Sequence, residues 1–137
     1  GDKTAENVKI KIGSAISVEE ELTTTIKGRD FIQGLPRTAQ VSTNEIVKAI
    51  DTELRAIIRA IKDVLQETPP ELASDIIDQG VILTGGSSLI RNLPELVYRK
   101  TGVKARLADD AEYCVAKGLG AALEHLDTYK RPIISKR

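Results

Sequence analysis

Aromatic side chains make up only 3% of this 137-residue chain, and tryptophan is missing altogether. That scarcity argues against a platform on which successive bases stack, the device of proteins that hold single-stranded nucleic acid. The one cysteine, Cys114, excludes an internal disulfide, and the one histidine, His125, cannot assemble a metal site with it alone. An excess of charge is also lacking: 20 Lys and Arg balance 20 Asp and Glu, so no global field draws the chain to nucleic acid or to an anionic membrane. No apolar run reaches the ~18 residues of a membrane span, and no signal-peptide pattern, internal repeat or low-complexity tract is present. These absences fit a protein of the reducing cytoplasm with no nucleic-acid partner. A chain of this length buries roughly two-thirds of its unfolded surface, enough for one core or two small lobes.

What the chain does have is Val81-Ile82-Leu83-Thr84-Gly85-Gly86-Ser87-Ser88-Leu89, a buried-strand pattern that breaks at two glycines and restarts as a helix. Two adjacent glycines remove the Cβ atoms that would block a ligand from the backbone, and Ser87 or Ser88 can cap the helix that follows. The same residues also suit a tight turn that needs glycine only for its backbone angles.

The remaining elements alternate between helix and strand. Val8, Ile10 and Ile12 alternate with Lys9 and Lys11, which by period argues for a strand. Thr4 as a cap, Glu6 in a first turn and Gly13 near the end argue instead for a helix, which is the reading adopted. Glu19 to Lys27 reads as a strand with Leu22, Thr24 and Ile26 on one face, paired with Arg37 to Ser42 through Gly28-Arg29-Asp30 and Gly34-Leu35-Pro36. Ser42-Thr43-Asn44-Glu45 is a capping box opening a helix to about Gln66. On that helix Ile46, Ile50, Leu54, Ile57, Ile58, Ile61 and Leu65 form an apolar stripe. Pro69-Pro70 stops it, and a second helix spans Glu71 to Asp78. After the glycine turn come a helix over Pro94 to Lys100, a strand over Val103 to Leu107 and a helix from about Glu112 to Leu126. The fold class is α/β.

Several side chains carry possible chemistry. Glu6 and Lys9 stand three apart, on one face of a helix, as a surface ion pair or as a ligand contact. Asp109-Asp110 reads as solvated caps before a helix rather than a metal pair, Cys114 as a small buried packing residue, and His125 as a favourable charge at a helix C-terminus.

Leu83-Thr84-Gly85-Gly86-Ser87-Ser88-Leu89 resembles the adenosine motif of the actin and sugar-kinase superfamily. Together with Thr4 to Ala15, Gly28-Arg29-Asp30, Gly34-Leu35-Pro36, Thr68 to Ala73 and Cys114 to Leu123, it resembles in detail the MreB-type bacterial actins. The resemblance covers almost the whole chain. It implies a partial actin-type ATPase fold: residues 1–80 as helix, β-hairpin and long helix of the outer subdomain of the second lobe, 81–126 as strand, turn and terminal helix of its inner subdomain, and 127–137 as a basic tail. It implies Glu6 as acceptor for ribose hydroxyls, Lys9 as a wall of the base pocket, Gly85 and Gly86 as the bare backbone, and Ser87 and Leu89 as pocket lining. ATP with Mg2+ is the implied cofactor of the intact protein. The implied partners are further copies in a filament, a membrane adaptor of the RodZ type and the cell-wall synthesis machinery, at the inner face of the cell membrane.

Neither phosphate hairpin of that superfamily occurs here, no D-x-G-T and no G-G-G-T pattern. The chain is therefore expected to be a fragment that does not hydrolyse ATP alone, since phosphoryl transfer depends on charge placed around the γ-phosphate. A sugar or acetate kinase, or a DnaK-type chaperone, would share the lobe, and a protein-interaction module without nucleotide is a further alternative. Removal from its lobe should leave apolar faces exposed around Val81 to Leu83 and Ala116 to Leu123 and promote self-association.

Overall fold

A computed structural model describes residues 1–126, and the basic tail expected over 127–137 lies outside the described residues. The elements are α1 (Asp2–Ile12), β1 (Thr23–Arg29), β2 (Pro36–Ser42), α2 (Thr43–Glu67), α3 (Pro70–Gln79), β3 (Val81–Leu83), α4 (Leu93–Thr101), β4 (Ala105–Leu107) and α5 (Cys114–Glu124), with 3-10 turns at Gly86–Leu89 and Ala111–Tyr113.

The ambiguity in the first segment resolves to helix. Val8 and Ile12, four apart, are buried, while Ile10 between them is exposed; a strand would have put all three on one face. Thr4 is not its cap, because the helix already begins at Asp2 and the Thr4 N–H donates to the Gly1 carbonyl at 3.0 Å. Gly13 ends α1, and a Cβ there would overlap the Lys9 carbonyl oxygen.

β1 and β2 pair antiparallel from Thr23 opposite Ser42 to Arg29 opposite Pro36. The strand starts later than its alternation predicts because the head of α2 captures the chain before it. Asn44 exchanges hydrogen bonds with both backbone groups of Val18 at 3.0 Å, and the Leu22 N–H donates to Thr43 Oγ1 at 3.2 Å. Thr24 and Ile26 then alternate half-buried along β1, and Leu22 is left exposed outside the ladder.

The capping box forms as expected: the Glu45 N–H donates to Ser42 Oγ, and Glu45 Oε2 accepts the Ser42 N–H at 2.8 Å. From α2, Leu54 and Ile58 enter the core, where they meet Leu93, Leu96 and Val97 of α4 and Ala15. Each such burial contributes about 1.5–3 kcal/mol. Ile50 and Ile61 pack half-buried against this cluster, but Ile57 falls off the stripe and is exposed. β3 and β4 pair in parallel, Val81 with Ala105 and Leu83 with Leu107. Gly80 between α3 and β3 has φ of 77°, and a Cβ there would stand 2.6 Å from the Lys104 carbonyl oxygen, so only glycine fits.

Two further local expectations are overturned. Ser88 caps no following helix: its hydroxyl turns back to the Gly85 carbonyl at 2.6 Å, the turn is 3-10, and α4 starts only at Leu93 after Asn92 in the left-handed region. Cys114 is not buried but half-exposed, because α5 buries none of its side chains among the described residues.

Candidate functional site

The site is held together by the chain passing twice through one place. Arg91, just before α4, reaches the end of α1 and donates through Nη2 to the Ile12 carbonyl at 2.8 Å and through Nε to the Gly13 carbonyl at 3.0 Å. These carbonyls have no partner within the helix, so the guanidinium satisfies acceptors that a helix end leaves open. The Ala15 N–H returns a bond to the Arg91 carbonyl at 2.8 Å, and Asn92 Nδ2 donates to the fully buried Ser14 hydroxyl at 3.0 Å. The latch fixes α1 beside the glycine turn.

A cleft of about 330 Å³ opens between them. Its α1 wall carries Glu6, Lys9 and Ile10 with Gly13 at its end, its opposite wall is the turn with Gly86, Ser87 and Leu89, and Ile90, Arg91 and Glu112 complete it. Five of the six residues singled out in the sequence therefore meet in one cleft. Gly85 does not line it and acts on the backbone: its φ of 84° makes the turn, and its N–H donates to the Ala111 carbonyl at 2.7 Å. That bond also explains Glu112, which sequence reasoning missed. Tying Ala111 to Gly85 brings the next side chain over the turn, so that a Cβ added at Gly86 would stand 3.6 Å from Glu112 Oε1. Arg91 was missed as well, since its role comes from a contact 78 residues distant in sequence.

Among the described residues neither Glu6 nor Lys9 joins an ion pair, so the simple surface pair is not formed. The cleft thus offers two carboxylates that accept from hydroxyls or amines, two cations, an apolar wall at Leu89 and an unshielded backbone at Gly86. A mostly preformed concavity of this size, with a few convergent polar groups, is the kind of place that takes a small molecule.

Among the described residues no group of three or more His, Cys, Asp or Glu is placed to hold a metal ion. Asp110 pairs instead with Lys117 one turn into α5, and this lysine holds the Asp110 carboxyl below the ordinary range while its own value is raised. His125 follows the end of α5, its N–H donating to the Ala121 carbonyl at 3.2 Å, the placement its sequence position implies.

The fold has counterparts among solved structures. The crystal structure of MreB5 of Spiroplasma citri bound to ADP matches with a TM-score of 0.87 at 34% identity, over 96% of this chain and 40% of that one. The same protein bound to AMPPNP matches at 0.86 and 33%, over 98% and 40%. The fold accordingly defines the class, a part of the actin-like α/β architecture. The family model for MreB/Mbl protein matches residues 1–131, and the chain belongs to the MreB/Mbl family. Cell shape-determining protein MreB of Escherichia coli K12 is 40% identical over 136 residues, 99% of this chain and 39% of that protein. Cell shape-determining protein Mbl of Bacillus cereus is 42% identical over 127 residues, 93% of this chain and 38% of that protein. The chain thus spans about two-fifths of the length of these relatives, and the kinase and chaperone readings gain no support.

Proposed function

We infer that the cleft between α1 and the glycine turn takes the adenosine part of ATP, and that the chain serves as part of an actin-like filament protein that determines cell shape by organising cell-wall synthesis. The observation that carries this reading is the convergence of Glu6 and Lys9 on one wall with Gly86, Ser87 and Leu89 on the other. Glu6 accepts from ribose hydroxyls, Lys9 and Leu89 flank the base, and the Gly86 backbone lets the nucleoside lie close. The likeness to chains whose solved structures hold ADP and AMPPNP supports the choice of ligand. In this reading residues 1–80 form the outer subdomain and 81–126 part of the inner one. Mg2+ would arrive on the triphosphate, whose oxygens and bound waters supply most of its ligands. ATP supplies binding energy to the cleft, and no hydrolytic step is assigned to these residues. Further copies, a RodZ-type adaptor and the cell-wall machinery are the proposed partners, at the inner face of the membrane.

The test is calorimetric titration of ATP-Mg into this chain and into a form extended upstream to include both phosphate hairpins, each with and without Gly86→Val. The structure makes this substitution a fair probe, since a side chain at Gly86 meets nothing closer than Glu112 and its backbone is not in the left-handed region. The expected result is binding by the extended form, weakened at least about tenfold by the valine, about 1.4 kcal/mol. Unchanged affinity in the variant would remove the pocket assignment.

A further inference from the structure

Glu112 gives the cleft something that neither α1 nor the glycine turn supplies, a carboxylate held over the bare backbone. The chain on either side of it is pinned. The carbonyl of the buried Ala111 accepts the Gly85 N–H at 2.7 Å, and the Tyr113 N–H donates to the Asp110 carbonyl at 2.7 Å. Asp110 sits in the left-handed region with φ of 50°, and its side chain is paired with Lys117. A 3-10 turn fixed at both ends leaves the Glu112 side chain to overhang Gly86, where Oε1 stands 3.6 Å from the position of an added Cβ.

Glu112, like Glu6, joins no ion pair among the described residues. Arg91 is already engaged by the Ile12 and Gly13 carbonyls, so among the described residues of the cleft Lys9 alone is free to balance the two carboxylates. A triphosphate set between Glu6 and Glu112 would meet like charge on both sides, and the part of a nucleotide that suits the space between them is the neutral nucleoside. An ionised carboxylate only accepts hydrogen bonds, so each of the two needs a donor on that nucleoside. The ribose hydroxyls serve Glu6 in the proposed adenosine site. The donor left for Glu112 is an N–H on the base. We propose that Glu112 is the residue that reads the base, accepting a hydrogen bond from the exocyclic amine of a purine, the 6-amino group in adenosine. This assignment rests on the cleft being the nucleoside site, and it makes the cleft selective for aminopurines. A base without the amine leaves the carboxylate facing a C–H, and one with a carbonyl in its place sets two acceptors against each other.

Two pairs of nucleotides isolate the amine, because the members of each pair differ only by it. ATP and purine riboside triphosphate differ in the 6-amino group, GTP and ITP in the 2-amino group. Each is titrated calorimetrically, with Mg2+, into the form extended upstream to include both phosphate hairpins and into its Glu112→Leu and Glu112→Gln variants. The expected result is ATP binding at least about tenfold tighter than purine riboside triphosphate to the unmodified form, a ratio that falls to within about threefold in Glu112→Leu. Glu112→Gln, whose side-chain carbonyl still accepts, should keep part of the preference. Affinity for purine riboside triphosphate should stay the same in all three, which marks the effect as base reading and not as damage to the cleft. A preference that survives Glu112→Leu at full size, or no preference for either amine in the unmodified form, would overturn the assignment. A Glu112-dependent preference in the GTP and ITP pair alone would keep Glu112 as the reader and move the base to guanine, against the adenosine reading. The Gly86→Val titration separates the two failures: if valine weakens ATP while Glu112→Leu leaves the ratio intact, the base assignment falls and the pocket stands.

Discussion

The apolar stripe of α2 and that of α5 look alike in sequence and end differently. Leu54 and Ile58 of α2 close on α4 and are 4% and 7% exposed, whereas Val115, Leu119 and Leu123 of α5 remain 72%, 62% and 66% exposed. Periodicity shows which face of a helix wants cover, and nothing local shows what supplies it. The expected exposure around Ala116 to Leu123 is found, and Ile82 of β3 is likewise more than half exposed. Folding energy is therefore concentrated where α1, α2 and α4 meet, and the cleft is built against that firm half.

The sharpest way to break this comparison is to truncate one residue from each region. Ile12→Ala, at 1% exposure beside the latch, is expected to cost about 2–5 kcal/mol in urea unfolding through lost burial and a residual cavity. Leu119→Ala should change stability by no more than about 0.5 kcal/mol. Equal costs would mean that α5 has a cover that its exposure does not reveal.

Next in size is the latch. Arg91→Ala removes two charge-assisted bonds and leaves the Ile12 and Gly13 carbonyls without their partner, an expected loss of about 2–3 kcal/mol. Hydrogen exchange at the Ala15 N–H, which is bonded to the Arg91 carbonyl, should accelerate with it. If the cleft is the nucleotide site, ATP affinity of the extended form should fall too, since α1 is no longer fixed beside the turn.

How much of this was legible in the sequence depends on the range of each interaction. The capping box at Ser42 and Glu45, the end of α2 before Pro69-Pro70 and the break at Gly85-Gly86 are decided within a few residues, and all were readable. Residues 1–12 needed a choice between two periods, settled by packing of Val8 and Ile12. The start of β1 was misjudged because Asn44 and Thr43, more than 20 residues on, hold the chain ahead of the strand. In the cleft, Gly86, Ser87 and Leu89 follow from the glycine motif, and Glu6 and Lys9 from their helical spacing and the family resemblance, whereas Arg91 and Glu112 come there through tertiary hydrogen bonds that leave no local pattern.

The open half can be probed at its surface. Leu119→Glu should leave unfolding unchanged and weaken any salt-strengthened self-association about tenfold, about 1.4 kcal/mol. Light scattering at rising salt reads this, and an unaltered profile would show that the exposed face of α5 is not what sticks.

The smallest effect concerns the hairpin tip, which lies far from the core. Asp30 Oδ1 accepts the Gln33 and Ile32 N–H groups at 2.9 Å, and Oδ2 accepts from Arg37 at 3.0 Å. The Gln33 N–H bond first, then Arg37 and the Ile32 N–H, hold the Asp30 carboxyl below its ordinary value. A carboxyl lowered in the folded state stabilises it above the unfolded value of about 3.9, and this contribution fades as pH falls through the lower folded value. The Ile32 and Gln33 amide resonances should therefore hold steady from neutral pH down to that region and shift only below it, together, as the acceptor is protonated. Asp30→Asn should remove that titration while leaving the unfolding curve of the α1, α2 and α4 core in place. A core that titrated along with the tip would contradict the division into a firm half and a loosely attached one.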